Sequence, residues 1–419
     1  MASRRLPIAI FLFAFFGWTF DFYDLVLLGF LKDGVARDLH LSHTAESWLL
    51  GVGLGASGLG GLVAGALADR FGRRALLSLT VFVYSLGSLI CGLAPSGQIF
   101  FAGRVVQGLG IGGEWAIGHG MLAEAVAPSV RGRAAAALQI GEPFGVAIAA
   151  LVGYLVLPRV GWRAVLIGSS ATALLAVAMR ASAHLPGRVG QPAGAGSFLA
   201  DLRAAARWPG LARRFGAAWL LGVLKLGTYW SCYTWLPTFL GAGMHQSIAR
   251  SLTWMVTAQL GQLAGMATFG VISDRIGRRP AFAIYSLLTA AAVGALAFGW
   301  SALLPHPARF WGVMFALGVG SGCTAGFGAL LAELYPAEIR STAMGATYNL
   351  ARAAQLATPL VVGLAVARYG LAGGLGVPCL LALGTAAWVW TLPETRGIPL
   401  ARMSDAEGRR KPEGVSFEV

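Results

Sequence analysis

Twelve apolar runs, each about as long as a helix that crosses a bilayer, account for most of the 419 residues of this chain. A transmembrane helix needs about 20 consecutive apolar residues. By residue number, the runs are 8–31, 45–68, 75–94, 98–123, 134–157, 162–181, 214–241, 248–272, 280–304, 308–333, 342–367 and 371–391. Only 12% of the residues are charged, whereas a soluble protein carries about a quarter. We therefore predict an all-α membrane protein with twelve transmembrane helices, here called spans 1 to 12 in chain order.

The basic residues are distributed unevenly between the two sides of the membrane that these spans define. The net charge is +14, but Lys and Arg lie mostly in short hinges between the apolar runs, which argues against a nucleic-acid partner. Of the 32 basic residues, 22 fall on the side of the N-terminus, 7 on the opposite side and 3 inside spans. Cytoplasmic loops carry such an excess. We therefore predict that both termini are cytoplasmic, and the short loops favour a bacterial inner membrane.

The four cysteines, Cys91, Cys232, Cys323 and Cys379, lie within apolar runs and lack the spacing of metal ligands. We expect free buried thiols, no metal site and no cofactor. The sequence also lacks a set of a nucleophile and a neighbouring base, which argues against an enzyme.

Two motifs occur twice in the same order. GALADRFGRRA at 65–75 returns as GVISDRIGRRP at 270–280, and AEAVAPSVR at 123–131 returns as AELYPAEIR at 332–340. Each pair lies on the same side of the membrane, which indicates two halves related by an axis along the membrane normal. We predict a six-helix bundle at 1–181, a cytoplasmic linker at 182–213, a second six-helix bundle at 214–395 and a cytoplasmic tail at 396–419.

These motifs resemble those of the major facilitator superfamily. The loop motif G-x-L-x-D-R-x-G-R-R is present at 65–74 and, without the Leu, at 270–279, and R-x-x-Q-G-x-G-x-G is present at 104–112. The resemblance covers essentially the whole chain. It implies two pseudo-symmetric bundles, secondary active transport by alternating access, and a monomer without enzymatic activity.

Within that superfamily, three segments resemble the organic-acid symporters. Asp21-Phe-Tyr-Asp24 is similar to the D-G-[FY]-D of aromatic-acid proton symporters. The run GGEW at 112–115, followed by Glu124, is similar to sialate and monocarboxylate symporters, and Tyr348 and Asn349 begin a Y-N-x-x-R motif. Sugar porters instead carry paired Gln in span 7, where this chain has Lys225 and no Gln. Two features still allow a sugar substrate. PETRG at 393–397 resembles the PETKG of sugar porters, and Gln139 lies in span 5.

Acids inside spans are candidates for proton coupling, because an ionisable group in the membrane costs about 3 kcal/mol unless it is paired or faces water. Asp21 and Asp24 share one face of span 1, and two carboxylates that close together cannot both ionise cheaply. We expect one of them to hold a proton near neutral pH. The alternative is a fixed ion pair with Arg104 of span 4, a residue whose role is either structural or substrate-binding.

Two further acids, Glu114 and Glu142, extend the coupling candidates. Glu114 lies beside two glycines near the bilayer centre, and Glu142 precedes a proline that should kink span 5. Gln139 lies one turn before Glu142 on the same face, so we predict that both line a cavity. His119 points to another face of span 4 and is either a packing residue or a functional one.

Two bases, Lys225 in span 7 and Arg352 in span 11, are candidates for binding an anion. A buried Lys needs an anion or loses its proton, so Lys225 holds either the substrate or a standing pair with one of the acids. The guanidinium of Arg352 matches a carboxylate bidentately. The predicted substrate-binding residues are Lys225, Arg352, Asn349, Gln355, Tyr229, Gln139 and Tyr348.

Charged residues of the repeated loops are gate candidates by the resemblance. Asp69 and Asp274 lie at span ends, where a carboxylate can cap a helix N-terminus and pair with Arg131 or Arg340. Glu124 and Glu333 are expected to pair with Arg74 and Arg279. The full gating set is Asp69, Arg70, Arg74, Glu124, Arg131, Asp274, Arg279, Glu333 and Arg340.

The resulting hypothesis is proton-coupled uptake of an organic anion, a monocarboxylate or related organic acid, with the lipid bilayer as the other partner. The first alternative is a sugar or polyol proton symporter. The second is a proton-driven drug exporter, whose G-x-x-x-G-P-x-x-G run in span 5 is only loosely matched by GEPFG at 141–145.

Overall fold

The computed structural model describes residues 2–71, 73–125, 137–175, 178, 210–242, 248–303, 305–335 and 340–396, in which every regular element is helical. The predicted linker, apart from 210–213, and the predicted tail, apart from Arg396, lie outside the described residues. The α-helices are Ala2–Asp38, His43–Phe71, Arg73–Leu93, Gly97–Ala125, Gly141–Leu151, Leu157–Ser169, Leu211–Ala242, Ile248–Ile276, Arg278–Phe298, Trp300–Leu303, Pro307–Ser321, Phe327–Leu334, Arg340–Ala353 and Thr358–Trp388. A π-helical turn lies at Val152–Val156, and short 3-10 segments lie at Ser170–Thr172, Gly322–Gly326, Ala354–Leu356 and Val389–Thr391.

The prediction of twelve spans is confirmed. Eight described segments are long and apolar enough to cross a membrane. Two of them, Ala137–Leu175 and Ala343–Thr391, would be about 60 and 70 Å long as single helices, twice the thickness of the hydrocarbon core. The chain leaves the helical conformation within each, at Gly161 (φ 78°) and Gly370 (φ 70°). Each therefore comprises two spans. The helices Gly97–Ala125 and Leu211–Ala242 complete the twelve as spans 4 and 7.

The surface around the circumference of the bundle is apolar, as a lipid-facing surface must be. Large side chains such as Phe298, Leu174 and Leu380 are each about 70% exposed. In water so many exposed apolar groups would cause association, whereas in a bilayer they face lipid tails.

The two halves meet along three pairs of spans: 1 with 7, 2 with 11, and 5 with 8. Span 2 approaches span 11 so closely that a Cβ atom at Gly51 or Gly58 would clash with the backbone of Leu356 or Ala353. Gly51 lies toward the side that the charge distribution predicts to be outside, here called the predicted outer side, and Gly58 lies at the middle of helix His43–Phe71. The described contacts between the halves therefore extend from mid-span to the predicted outer side.

Candidate functional site

A small cavity lies between the two halves at mid-span. Phe22 of span 1 and Gln139 and Glu142 of span 5 line it from the first half. The second half contributes Lys225, Leu226, Tyr229, Trp230, Thr324, Phe327 and Tyr348. Its volume of about 30 Å³ is enough for water but not for a ring-sized molecule. The cavity thus has the shape of a closed site that must widen to receive a substrate.

Lys225 supplies the positive charge of the cavity. The side chain is only 3% exposed, and it forms no hydrogen bond or ion pair with the described residues. Glu142, on the opposite half, is the acid close enough to interact electrostatically with it. A buried ammonium that lacks a bonded partner attracts an anion. Of the residues predicted to bind substrate, Lys225, Gln139, Tyr229 and Tyr348 line this cavity.

Glu142 connects the two halves. Its Oε1 accepts a 2.7 Å hydrogen bond from Nε2 of Gln262 in span 8. The helix of span 5 is interrupted at Ile140 and restarts at Gly141. Pro143 accounts for this interruption, because it has no N–H to donate to the carbonyl of Gln139 four residues earlier. The interruption places the Glu142 side chain, which is buried, at the cavity wall.

Aromatic rings enclose the cavity from both halves. Phe22 lies parallel to Trp230, with ring centroids 5.5 Å apart and an interplanar angle of 13°. Tyr229 meets Phe22 edge-on at 5.9 Å and lies 4.7 Å from Tyr233. Our sequence reasoning missed Phe22, as it missed Leu226, Thr324 and Phe327. The sequence did contain one indication for Phe22, which lies between the two acids of span 1, Asp21 and Asp24.

A second polar cluster surrounds Arg352, outside the cavity lining. This guanidinium is 1% exposed, and none of its three nitrogen atoms has a hydrogen-bond partner in the described part of the chain. Asp21 and Glu114 are likewise buried, with no partner on any carboxyl oxygen. Asp21 interacts electrostatically with Glu114 and Arg352, and Glu114 packs on Gly17, one turn before Asp21. Two acids and one base are therefore buried close together, without hydrogen bonds to any described residue.

Asp24 and Arg104 belong to a third polar group. Arg104 donates to Gln107, whose Nε2 donates to Ser88 at 2.7 Å, and the Ser88 hydroxyl lies 3.5 Å from Oδ2 of Asp24. Among the described residues, Arg104 and Asp24 form no direct ion pair, so the fixed pair that we considered is replaced by a chain of neutral side chains. This chain ties spans 1, 3 and 4 together.

Two predicted substrate-binding residues have other contacts in this conformation. Gln355 donates to the carbonyls of Ala351 at 2.8 Å and Val223 at 3.2 Å, and it accepts from Thr358 at 2.7 Å. Its amide therefore ties span 11 to span 7. Asn349 packs against Gly61 of span 2.

Two predicted gate residues of the second half, Asp274 and Glu333, are joined through Arg278, which the sequence analysis did not select. Arg278 pairs with Asp274 at 2.6 Å and with Glu333 at 2.9 Å. Arg279, which we expected to pair with Glu333, instead donates to the carbonyl of Trp390 at 2.9 Å. The reason is helical geometry, because neighbouring residues at the start of span 9 point about 100° apart. The side chains of Asp69, Arg70, Arg74, Glu124, Arg131, Arg340 and His119 lie outside the described part of the structure.

The helix cap of span 9 comes from Glu394 in the PETRG segment, not from Asp274. Its carboxylate accepts the backbone N–H groups of Arg278 at 2.8 Å and Arg279 at 3.1 Å. Two more N–H groups, of Thr395 and Arg396, donate to it at 3.0 Å each. Burial alone would raise the pKa of Glu394, but these four donors lower that pKa below its ordinary value.

At the predicted outer side, Lys32 joins spans 1, 2 and 7. It pairs with Asp33 at 2.6 Å and Glu46 at 2.5 Å, and its ammonium lies 4.9 Å from the ring centroid of Trp235 in the second half. The side chain is buried. Sequence reasoning placed Lys32 in a loop, although helix Ala2–Asp38 includes it.

The cysteines are free thiols, with Cys91, Cys232 and Cys323 buried and Cys379 partly exposed. Among the residues that the structure describes, no group of three or more His, Cys, Asp or Glu side chains is arranged to hold a metal ion.

Comparison with known proteins gives consistent matches over nearly the whole chain. The sequence profile of the Major Facilitator Superfamily matches residues 8–253 and 244–412. The "Probable 4-methylmuconolactone transporter" of Cupriavidus pinatubonensis is 30% identical over 406 residues, covering 93% of this chain and 91% of the relative. The niacin transporter of Acinetobacter baylyi is 28% identical over 422 residues, covering 91% and 92%.

A third relative, the gentisate transporter of Corynebacterium glutamicum, is 26% identical over 403 residues, covering 92% of this chain and 86% of the relative. Among solved structures, the inward-open xylose transporter of E. coli matches with a TM-score of 0.75 at 18% identity, covering 95% of this chain and 99% of that one. At this identity the structural match establishes the fold.

Proposed function

Because the chain belongs to the major facilitator superfamily, we propose that it is a secondary active transporter that carries an organic anion into the cell together with a proton. Membership of this family makes it a membrane transporter and not an enzyme. The proposed anion is a monocarboxylate or a related organic acid. The proposed location is the bacterial inner membrane, with both termini cytoplasmic and the protein a monomer.

The observation that carries the proposal is Lys225, a buried ammonium at the wall of a cavity between the halves, with no ion pair among the described residues. A neutral sugar does not need such a charge, whereas a carboxylate neutralises it. The relatives named for niacin and gentisate support this proposal, because both compounds are aromatic carboxylic acids.

Proton coupling is supported by the cluster of Asp21, Glu114 and Arg352. Two unpaired carboxylates at the same place in low dielectric repel each other, so the cluster favours binding one proton. Arg352 balances the remaining charge. Transfer of one proton also cancels the charge of a monoanion, whose entry alone is opposed by about 2.3 kcal/mol per 100 mV of negative-inside potential.

Alternating access accounts for the closed cavity. Contacts between spans 1 and 7, 2 and 11, and 5 and 8 join the halves around the cavity, and the halves would rock about it to expose it to each side in turn. The gate network of Arg278, Asp274 and Glu333 would act at the opposite side of the membrane, where its pairs would re-form in each cycle.

The test is proton uptake by proteoliposomes that contain a pH-sensitive dye. Addition of carboxylates to the outside should acidify the interior, and Lys225→Met should abolish the response. A response to neutral sugars alone would refute the anion proposal. It would favour a sugar or polyol symporter, the second candidate, for which Gln139 at the cavity wall is the specific observation.

A further inference from the structure

Span 8 presents two glutamines that the proposed transport mechanism does not use. Gln259 and Gln262 lie three residues apart, so they share one face of the helix. The amide nitrogen of Gln262 donates a hydrogen bond to Glu142, but its Oε1 has no partner among the described residues. Gln259 is 3% exposed, and neither atom of its amide has a hydrogen-bond partner in the described residues. A buried amide without partners is costly, so these atoms are poised to bond with a ligand.

Span 7 places hydroxyl groups beside these amides. The Tyr229 hydroxyl approaches Gln262 and Glu142 but forms no hydrogen bond. The Tyr233 hydroxyl lies 3.5 Å from Oγ of Ser321 and approaches Gln259. The polar atoms that lack partners thus belong to neutral side chains of spans 7 and 8. Of these side chains Tyr229 lines the cavity, and the two glutamines lie behind the lining, next to Tyr229 and Tyr233.

The spacing along span 7 relates this neutral region to the cationic one. Tyr229 lies one turn after Lys225, a rise of about 6 Å, and Tyr233 lies two turns after it, about 12 Å. A ring substituent opposite a carboxylate lies about 6 Å from the carboxyl carbon by ordinary bond lengths. A ligand whose carboxylate is at Lys225 would therefore present that substituent at the level of Tyr229 and Gln262.

The walls favour a flat ligand. Phe22 and Trp230 are nearly parallel, and Tyr229 meets both rings edge-on. Offset-stacked and edge-on contacts are the preferred geometries of aromatic rings. A planar ring that enters as the halves part would gain such contacts, whereas a flexible chain or a sugar would lose most of them.

We propose that Gln259 and Gln262 form a specificity-determining subsite for a hydrogen-bonding substituent, a hydroxyl or a ring nitrogen, on a planar aromatic monocarboxylate. This inference rests on the proposed function, since Lys225 must hold the carboxylate. Gln262 recognises the substituent directly, and Gln259 extends the same subsite one turn further along span 8.

Two ligands that differ by one hydroxyl group test the subsite: benzoate and 4-hydroxybenzoate. Dissociation constants are measured by calorimetry on the purified full chain. The unmodified protein should bind 4-hydroxybenzoate about tenfold more tightly, because a site built for a hydroxyl group penalises its absence. Gln259→Leu and Gln262→Leu should each reduce this preference at least threefold.

Gln259→Leu is the sharper variant, because its replacement removes no hydrogen bond within the described residues and should not lower thermal stability. Gln259→Met serves if the leucine variant folds poorly. Thr257→Val is the matched control on the same helix, since the Thr257 hydroxyl is bonded to the carbonyl of Thr253 at 2.7 Å. This control should leave the preference unchanged.

An equal affinity of the unmodified protein for the two ligands, or an unchanged preference in both leucine variants, would overturn the subsite. Proton uptake with aliphatic acids but no binding of either aromatic acid would also overturn it, while leaving the proposed function intact. Absence of any carboxylate response in the liposome assay would overturn both proposals.

Discussion

Nε2 of Gln262 donates a 2.7 Å hydrogen bond to Oε1 of Glu142, and this bond joins span 8 of the second half to span 5 of the first at the cavity wall. Glu142 also interacts electrostatically with Lys225. The same carboxylate therefore contacts the partner half and, under the proposed function, would compete with an anion bound at Lys225. Substrate binding and separation of the halves would then be linked through this one side chain.

Neutralising Glu142 should strengthen anion binding. Glu142→Gln keeps the size of the side chain but removes the charge that competes for Lys225. We expect about a tenfold lower dissociation constant for a carboxylate, measured by calorimetry at pH 8. Weaker binding would mean that Glu142 supports the anion site and does not compete with it.

Removing the charge of Lys225 should have the opposite effect. Lys225→Met preserves the length of the side chain, and we expect at least a thirtyfold loss of carboxylate affinity, because the buried anion loses its counter-charge. Lys225→Arg should retain part of the affinity. Equal binding by the methionine variant would exclude Lys225 from the site. Thermal unfolding of each variant in detergent checks that the fold is preserved.

The Lys32 contacts should hold the predicted outer side closed. Lys32→Met removes two ion pairs and the cation–π contact with Trp235. These contacts are worth about 1–2 kcal/mol when desolvated. Ser47 is buried in the first turns of span 2, against Gly363 of the second half. A cysteine at this position should therefore react several times faster with a membrane-impermeant maleimide in the Lys32→Met variant. Lys32→Arg, which keeps the charge, is the matched control. An unchanged labelling rate in the methionine variant would show that closure does not depend on Lys32.

Glu394 should stabilise the protein in a pH-dependent way. Its pKa is lowered in the folded state, so its contribution is complete above the unfolded pKa of about 4.3 and is lost as pH falls through the lower folded value. Glu394→Gln should reduce the unfolding temperature at pH 7, by the equivalent of about 1 kcal/mol for a helix cap, but much less at pH 3.

The control for this prediction is Asp274→Asn, which alters the partly exposed i,i+4 pair with Arg278 and should cost little at either pH. If Glu394→Gln lost the same stability at pH 7 and pH 3, the prediction would be wrong. The contribution of Glu394 would then come from the shape of its side chain and not from its charge.

Much of the architecture could be predicted from sequence patterns that depend directly on the surrounding lipid. Apolar runs identify the spans because lipid requires them, and the repeated motifs identify the two halves. Lys225 and Glu142 were predicted at the cavity by one rule: an ionisable side chain inside a span is costly, so it usually has a function. Neutral amides such as Gln259 carry a smaller penalty, and this rule did not select them.

The remaining features depend on how each helix is rotated. Whether Arg278 or Arg279 faces Glu333, and whether Gln355 faces the cavity or a backbone carbonyl, is decided by a difference of about 100° per residue. Sequence spacing specifies which residues share a face, but not which neighbour that face meets. Phe22 was overlooked for the same reason, since its partner Trp230 is distant in the chain.

The glycine contact between spans 2 and 11 has a consequence for leakage. Gly51 and Gly58 allow the backbones of spans 2 and 11 to touch. At these two positions span 2 has no side chain that would have to adopt a particular rotamer each time the spans come together. Under the proposed transport cycle, such surfaces would return to the same fit after every turnover and leave no gap for a file of water molecules. The membrane would thereby keep its proton gradient, on which the proposed uptake depends, through repeated cycles of opening.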